Sequence, residues 1–192
     1  VFALGLIIGF YMLLNFDNVS KTMISFFPKR IRNDASELLH RMNTTLQSYV
    51  HGTLIDASSI FVLSYVGFLI IGVEAPLLFA LFCGITDIIP YAGPYIGGAP
   101  VTLIAFSQDP AMGIIVIIYI AIIQCIEGNF LQPVIMGKTM KIHPVTILIG
   151  LLIFGHFFGI VGMIVSTPLV ALLKTIFMFF DEKFSLTKYQ EE

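Results

Sequence analysis

Residues 87–100 read DIIPYAGPYIGGAP: three prolines and three glycines behind a single carboxylate, with long apolar runs on either side. Each proline removes a backbone donor and each glycine widens the allowed dihedral range, so neither flanking run continues through the stretch as one regular helix. Irregular backbone between apolar runs is tolerated at membrane depth only where protein shields it or a cavity wets it. The stretch therefore predicts a broken membrane hairpin beside a polar site, the arrangement that transporters and channels use.

Composition points the same way. Of 192 residues, 57% are hydrophobic and 11% charged, and the mean hydropathy is +0.95, far less charge than a water-soluble surface needs. The fold class expected is all-α: a polytopic integral membrane protein of about five to seven membrane helices or half-helices at about 20 residues per pass, with Pro/Gly-broken hairpins and one amphipathic interfacial helix. A formal net charge of -2 leaves no basic footprint for nucleic acid. The apolar start at Val1 lacks the charged region and cleavage pattern of a signal peptide.

Working outward from the hairpin, arms at 77–106 follow a span at 55–73 and precede a span at 112–126. A first span is expected at 1–16. Between 29 and 52, Ile31, Ala35, Leu38, Leu39, Met42, Leu46, Tyr49 and Val50 recur at helical spacing among polar residues, which predicts an amphipathic helix for the headgroup layer or for a subunit or domain contact. A second pair of arms, 145–180, surrounds Gly155, His156, Gly159 and Gly162, and 181–192 is a charged tail. Together 1–180 form one membrane domain.

Basic residues set the expected orientation. Lys21, Lys29, Arg30, Arg32 and Arg41 in the loop 17–53, Lys138 and Lys141, and Lys183 and Lys188 in the tail belong on the cytoplasmic side, whereas the connections at Glu74 and at 108–110 carry no Lys or Arg. Each arm pair can be two crossings or one re-entrant hairpin without changing this parity. The first pair is entered from outside and the second from inside, as in inverted repeats that place substrate sites between interrupted helices.

Chemistry concentrates at a few positions. Asp87, three residues before Pro90, sits on an apolar arm where an ionised carboxylate needs water, a cation, a proton or free amides; it is either a coupling or cation-binding group or a helix cap near the surface. Glu127 groups with Asn129 and Gln132 just before Pro133, as a substrate path or as a solvated helix end whose amides satisfy free carbonyls. His143 precedes Pro144 at the entrance to the last hairpin, and His156 lies between Gly155 and two phenylalanines, as packing or as a proton relay. The breaks are assigned to Pro90, Gly93, Pro94, Gly97, Gly98, Pro100, Pro133, Gly137 and Pro144. Cys83 and Cys125 read as small buried hydrophobes. Gly5 and Gly9, Gly93 and Gly97, and Gly155 and Gly159 have GxxxG spacing, suited to packing within or between subunits.

No cofactor or metal is expected, and no enzyme: there is no Walker motif, GxSxG elbow or nucleotide fingerprint. An intramembrane aspartyl protease needs two facing membrane aspartates, and Asp56 and Asp109 fall near predicted span ends.

The segments IPYAGPYIGGAP (89–100), EGNFLQPVIMGKTMKIHP (127–144) and FGHFFGIVGMIVSTP (154–168) resemble the autoinducer-2 exporter (AI-2E) family of bacterial membrane proteins, across essentially the whole chain as that family's C-terminal half. The resemblance implies secondary export of a small polar solute such as autoinducer-2, a quorum-sensing signal; some members are linked instead to Na+(Li+)/H+ antiport. It further implies the bacterial inner membrane, a homo-oligomer, and membrane spans preceding the region matched. Expected partners are thus the solute, H+ or Na+, and the bilayer. A non-transporting scaffold resting on the amphipathic helix is the alternative outside transport, although a scaffold has no need of irregular backbone at membrane depth.

Overall fold

A computed structural model describes Pro28, residues 31–136 and residues 142–184 of the chain. The expected span 1–16, Gly5, Gly9, Lys21, Lys29, Arg30, Gly137, Lys138, Lys141 and Lys188 lie outside the described residues. The elements are α1 (Arg32–Ile71), α2 (Pro76–Thr86), α3 (Gly93–Gln108), α4 (Pro110–Ile126), a π-helical turn (Glu127–Leu131), α5 (Gln132–Met136) and α6 (Pro144–Phe184), with no strand among the described residues.

Three stretches, Arg32–Ile71, Pro110–Ile135 and Pro144–Phe184, are long and apolar enough to cross a membrane, and Pro76–Thr86 is a shorter apolar helix. Large apolar side chains face outward along them, among them Ile70 at 78% and Val134 at 82% exposure. An apolar surface of this extent is stable against acyl chains and not against water. The chain is an all-α, polytopic membrane protein.

The expected break between an amphipathic helix at 29–52 and a span at 55–73 is absent: α1 is one helix of 40 residues through His51, Gly52 and Thr53. A single interior glycine costs a helix only about 1 kcal/mol, and no proline stands there to add steric exclusion.

The described residues fall into two compact units, one drawn from 31–47 with 172–184 and the other from 48–171. Both boundaries fall inside helices, within α1 and within α6. In the first unit the apolar stripe of α1 has a partner in the chain itself. Ile31, Ala35, Leu38 and Leu39 line a groove with Phe179, Phe180 and Phe184. Arg41 ties the groove's edge, bonding Glu37 at 2.7 Å and Glu182 at 2.8 Å and lying 5.5 Å from the centre of the Phe179 ring; Lys183 pairs with Asp34.

In the second unit, Ile60, Phe68, Val73, Ala80, Cys83, Val101, Ala105, Val116 and Ile123 form the core, from α1, the turn that follows it, and α2, α3 and α4. Small residues set the helix separations. A Cβ at Gly84 would stand 2.9 Å from the Ala57 carbonyl oxygen of α1, and one at Gly97 would stand 2.8 Å from the Cys83 Cα of α2. At Gly67 a methyl would overlap the Tyr119 ring, whose hydroxyl donates to the Leu63 carbonyl at 2.8 Å.

The quoted stretch folds as a helix hairpin whose break is narrower than its composition suggests. Residues 87–92 form the tip, closed by Ile89 N to Thr86 O at 2.9 Å and Gly93 N to Ile89 O at 2.8 Å, with Tyr91 at φ 63. Gly93 and Pro94 open α3, where a missing N–H costs nothing. Gly97, Gly98 and Pro100, expected as breakers, lie inside α3; the glycines instead admit α2 and Ile120 of α4. Pro133 likewise lies within α5, just after the wide π turn, and Pro144 starts α6. With 11 and 16 residues, α2 and α3 extend about 16 and 24 Å at about 1.5 Å per residue, less than the roughly 30 Å of a hydrocarbon core.

α6 is two arms. Gly159, at φ 61 and ψ -144, leaves the helical region, and a Cβ on Gly150 would come 2.6 Å from Val170 Cγ2. Along a straight helix those residues would stand about 30 Å apart, so the chain reverses at Gly159. Gly155, facing Met163, and Gly162, facing the Phe154 carbonyl, let the arms close.

Candidate functional site

Three carboxylates from three elements of the second unit meet. Asp56 projects from the middle of α1, Asp87 is the C-cap of α2 at the hairpin tip, and Glu127 begins the π turn at the end of α4. One carboxylate oxygen from each lies within 4.8 Å of the others, and Asp56 and Glu127 are each 7% exposed. Counting helix rise, Asp56 lies about 22 Å below the end of α1 at Ile71, and Glu127 about 25 Å below the start of α4 at Pro110. The cluster sits deep along apolar helices.

It opens onto a cavity of about 480 Å³, lined also by Tyr49, Thr53, Pro90, Tyr91, Pro94, Gln124, Gly128, Gln132, Pro144 and Thr167. The π turn explains part of this convergence. Five residues along an α-helix turn a side chain about 140° away from its starting face, yet Gln132 Nε2 donates to Glu127 Oε1 at 3.0 Å, because the wider turn returns residue i+5 to the same side. Gln124 Nε2 donates to Oε2 at 2.8 Å. Both oxygens of Glu127 are thereby held in place.

Asp56 has no such support: its buried Oδ1 has no hydrogen-bond partner. Tyr49 and Thr167 line the same cavity, and their buried hydroxyls likewise have no hydrogen-bond partner. Buried polar atoms of this kind are costly and are normally satisfied by water, an ion or a ligand.

The expected site residues divide. Asp87, Glu127 and Gln132 are brought together, and Pro90, Pro94 and Pro144 line the same cavity. Asn129 is exposed and donates to the Cys125 carbonyl of its own helix at 2.8 Å. His143 is exposed and caps the start of α6, its Nδ1 accepting from Val145 N at 3.3 Å. His156 is exposed near the Gly159 reversal, edge-on to Phe157. None of these three lines the cavity. Cys83 is buried, but Cys125 is exposed, on the outward face of α4.

Asp56, Gln124, Tyr49 and Thr167 were not expected as site residues. Asp56 carried a usable signal, a lone carboxylate in an otherwise apolar run; the assumed helix break at 52–55 placed it near a surface. Its position facing Asp87 also removes the argument that no second membrane aspartate is available to an aspartyl protease.

The geometry is a polar cavity between broken apolar helices. A family model described as AI-2E family transporter matches residues 1–181. The chain belongs to the AI-2E transporter family. Relatives of this AI-2E protein include two from Bacillus subtilis (strain 168) that are named as candidate transport proteins. YrrI is 37% identical over 89% of this chain and 48% of its own length, and YueF is 33% identical over 88% and 46%. PerM of Escherichia coli (strain K12), named as a candidate permease, is 28% identical over 87% and 48%. The chain spans about half the length of these relatives. No solved structure matches it.

Proposed function

We propose that this AI-2E protein is a secondary membrane transporter whose solute pathway includes the cavity beneath the α2–α3 hairpin, and that it exports a small polar solute such as autoinducer-2. The observation that carries the reading is the cavity itself. Carboxylates, amides and hydroxyls converge there, at the tip of a hairpin too short to cross the hydrocarbon core, flanked by helices long enough to do so. Such a tip carries polar groups to a wetted space at membrane depth, where a hydroxylated solute can exchange its water for the side chains of Gln124 and Gln132. Family membership supports transport over hydrolysis, although Asp56 and Asp87 face each other. The bacterial inner membrane, with the basic segments cytoplasmic, is the setting that the charge pattern supports.

The test is autoinducer-2 flux in proteoliposomes containing the full-length protein, with and without an imposed proton gradient. Gradient-sensitive flux abolished by Asp87→Asn supports coupled export through this cavity. No flux from folded wild-type protein sinks the autoinducer-2 assignment.

A further inference from the structure

We propose that Asp56, Asp87 and Glu127 together form a binding site for a hard cation of the alkali or alkaline-earth class in the wall of the cavity. This deepens the transport reading by naming a coupling ligand, and rests on that reading only for what the ion drives. The three groups arrive from three separate elements, and an oxygen of each lies within 4.8 Å of the other two. Ligands on opposite sides of a cation with metal–oxygen distances of about 2.4 Å are about 4.8 Å apart, so the spacing already accommodates an ion.

Two observations outside the clustering of acids point to a ligand. Asp56 is 93% buried (7% exposed) and lines the cavity, and its buried Oδ1 accepts no hydrogen bond. Thr167 of α6, 6% exposed, lines the same cavity, and its buried hydroxyl has no hydrogen-bond partner. A buried anion with an open lone pair is stable only with a positive charge or a proton against it. Among the described residues, no Lys, Arg or His lines the cavity.

The donor set also limits the ion. Carboxylate and hydroxyl oxygens are hard ligands that suit Na+, Ca2+ or Mg2+ over thiophilic metals. Gln124 and Gln132, each bonded to one oxygen of Glu127, act as the outer partners that orient a ligating carboxylate.

The measurement is equilibrium binding of radioactive Na+ and of radioactive Ca2+ to the detergent-solubilised full-length protein, with size-exclusion profile and circular dichroism as folding controls. Wild type is expected to bind at least one ion saturably, and which one reports the charge the site prefers. Asp56→Asn, Asp87→Asn and Glu127→Gln should each weaken binding at least about tenfold. Gln132→Ala, which keeps all three carboxylates, should weaken it roughly 10- to 100-fold and serves if a carboxamide variant does not fold. Glu74→Gln, in the exposed turn between α1 and α2, should bind as wild type does. The proposal is overturned if folded wild type binds neither ion, or if the folded carboxamide variants bind as well as wild type. Binding without solute flux would sink the export reading and leave the site; flux without binding would do the reverse.

Discussion

Gln132 reaches Glu127 only because the helix between them widens by one residue. Removing its amide leaves a buried carboxylate oxygen short of a donor, so Gln132→Ala should cost about 1 to 3 kcal/mol, read as a lower melting temperature. Asn129→Ala, which removes a bond to a carbonyl of its own helix on an exposed face, should shift it less. His156→Ala should leave solute flux unchanged, because the imidazole packs on Phe157 away from the cavity; a loss of flux with folding intact would restore it as a relay candidate. The carboxylates Asp87 and Glu127 were legible as polar groups in apolar sequence. Asp56, the most telling of the three, was legible by the same rule and was masked by a misplaced helix end.

At the scale of elements, the two reversals are made differently and should respond differently to substitution. Gly159 holds a dihedral pair that only glycine adopts freely, with open space where a side chain would go, so Gly159→Ala should cost about 1 to 3 kcal/mol through backbone strain alone. Gly128→Ala meets neither strain nor contact and should be close to neutral in the same denaturation series. Gly97 lies inside α3 at ordinary helical dihedrals, and there a methyl meets backbone: Gly97→Ala must push α2 from α3, at about 1 to 3 kcal/mol of overpacking, and should reduce flux by displacing the hairpin tip that carries Asp87. The hairpins themselves were readable from proline and glycine density. Which of those residues break the chain was not, since Gly97, Gly98 and Pro100 serve packing or are tolerated inside a helix, and that depends on what lies opposite.

For the whole molecule, the open question of sidedness has a direct reading. In protein whose Cys83 and Cys125 are replaced, a cysteine at Glu74 should react with an impermeant maleimide from outside the cell. One at Glu182 should react only from the cytoplasmic face. Labelling of both from the same face would overturn the orientation drawn from Lys and Arg. It would leave the cavity intact, because the cavity's geometry makes no reference to which side is which.

The amino-acid sequence by itself determined that this protein lives in a membrane, is helical, and breaks its helices at two hairpins. Those properties are sums over many residues of local transfer energies and backbone propensities, and a single misjudged residue does not reverse them. Tertiary structure decided the site. Asp56, Asp87 and Glu127 are separated by 31 and 40 positions in the chain, and their meeting depends on the continuity of α1, on the tight approach that Gly84 and Gly97 allow, and on the extra residue in the π turn. None of these leaves a periodic signal, because each is set by the partner surface across a helix interface and not by the residues of the helix alone.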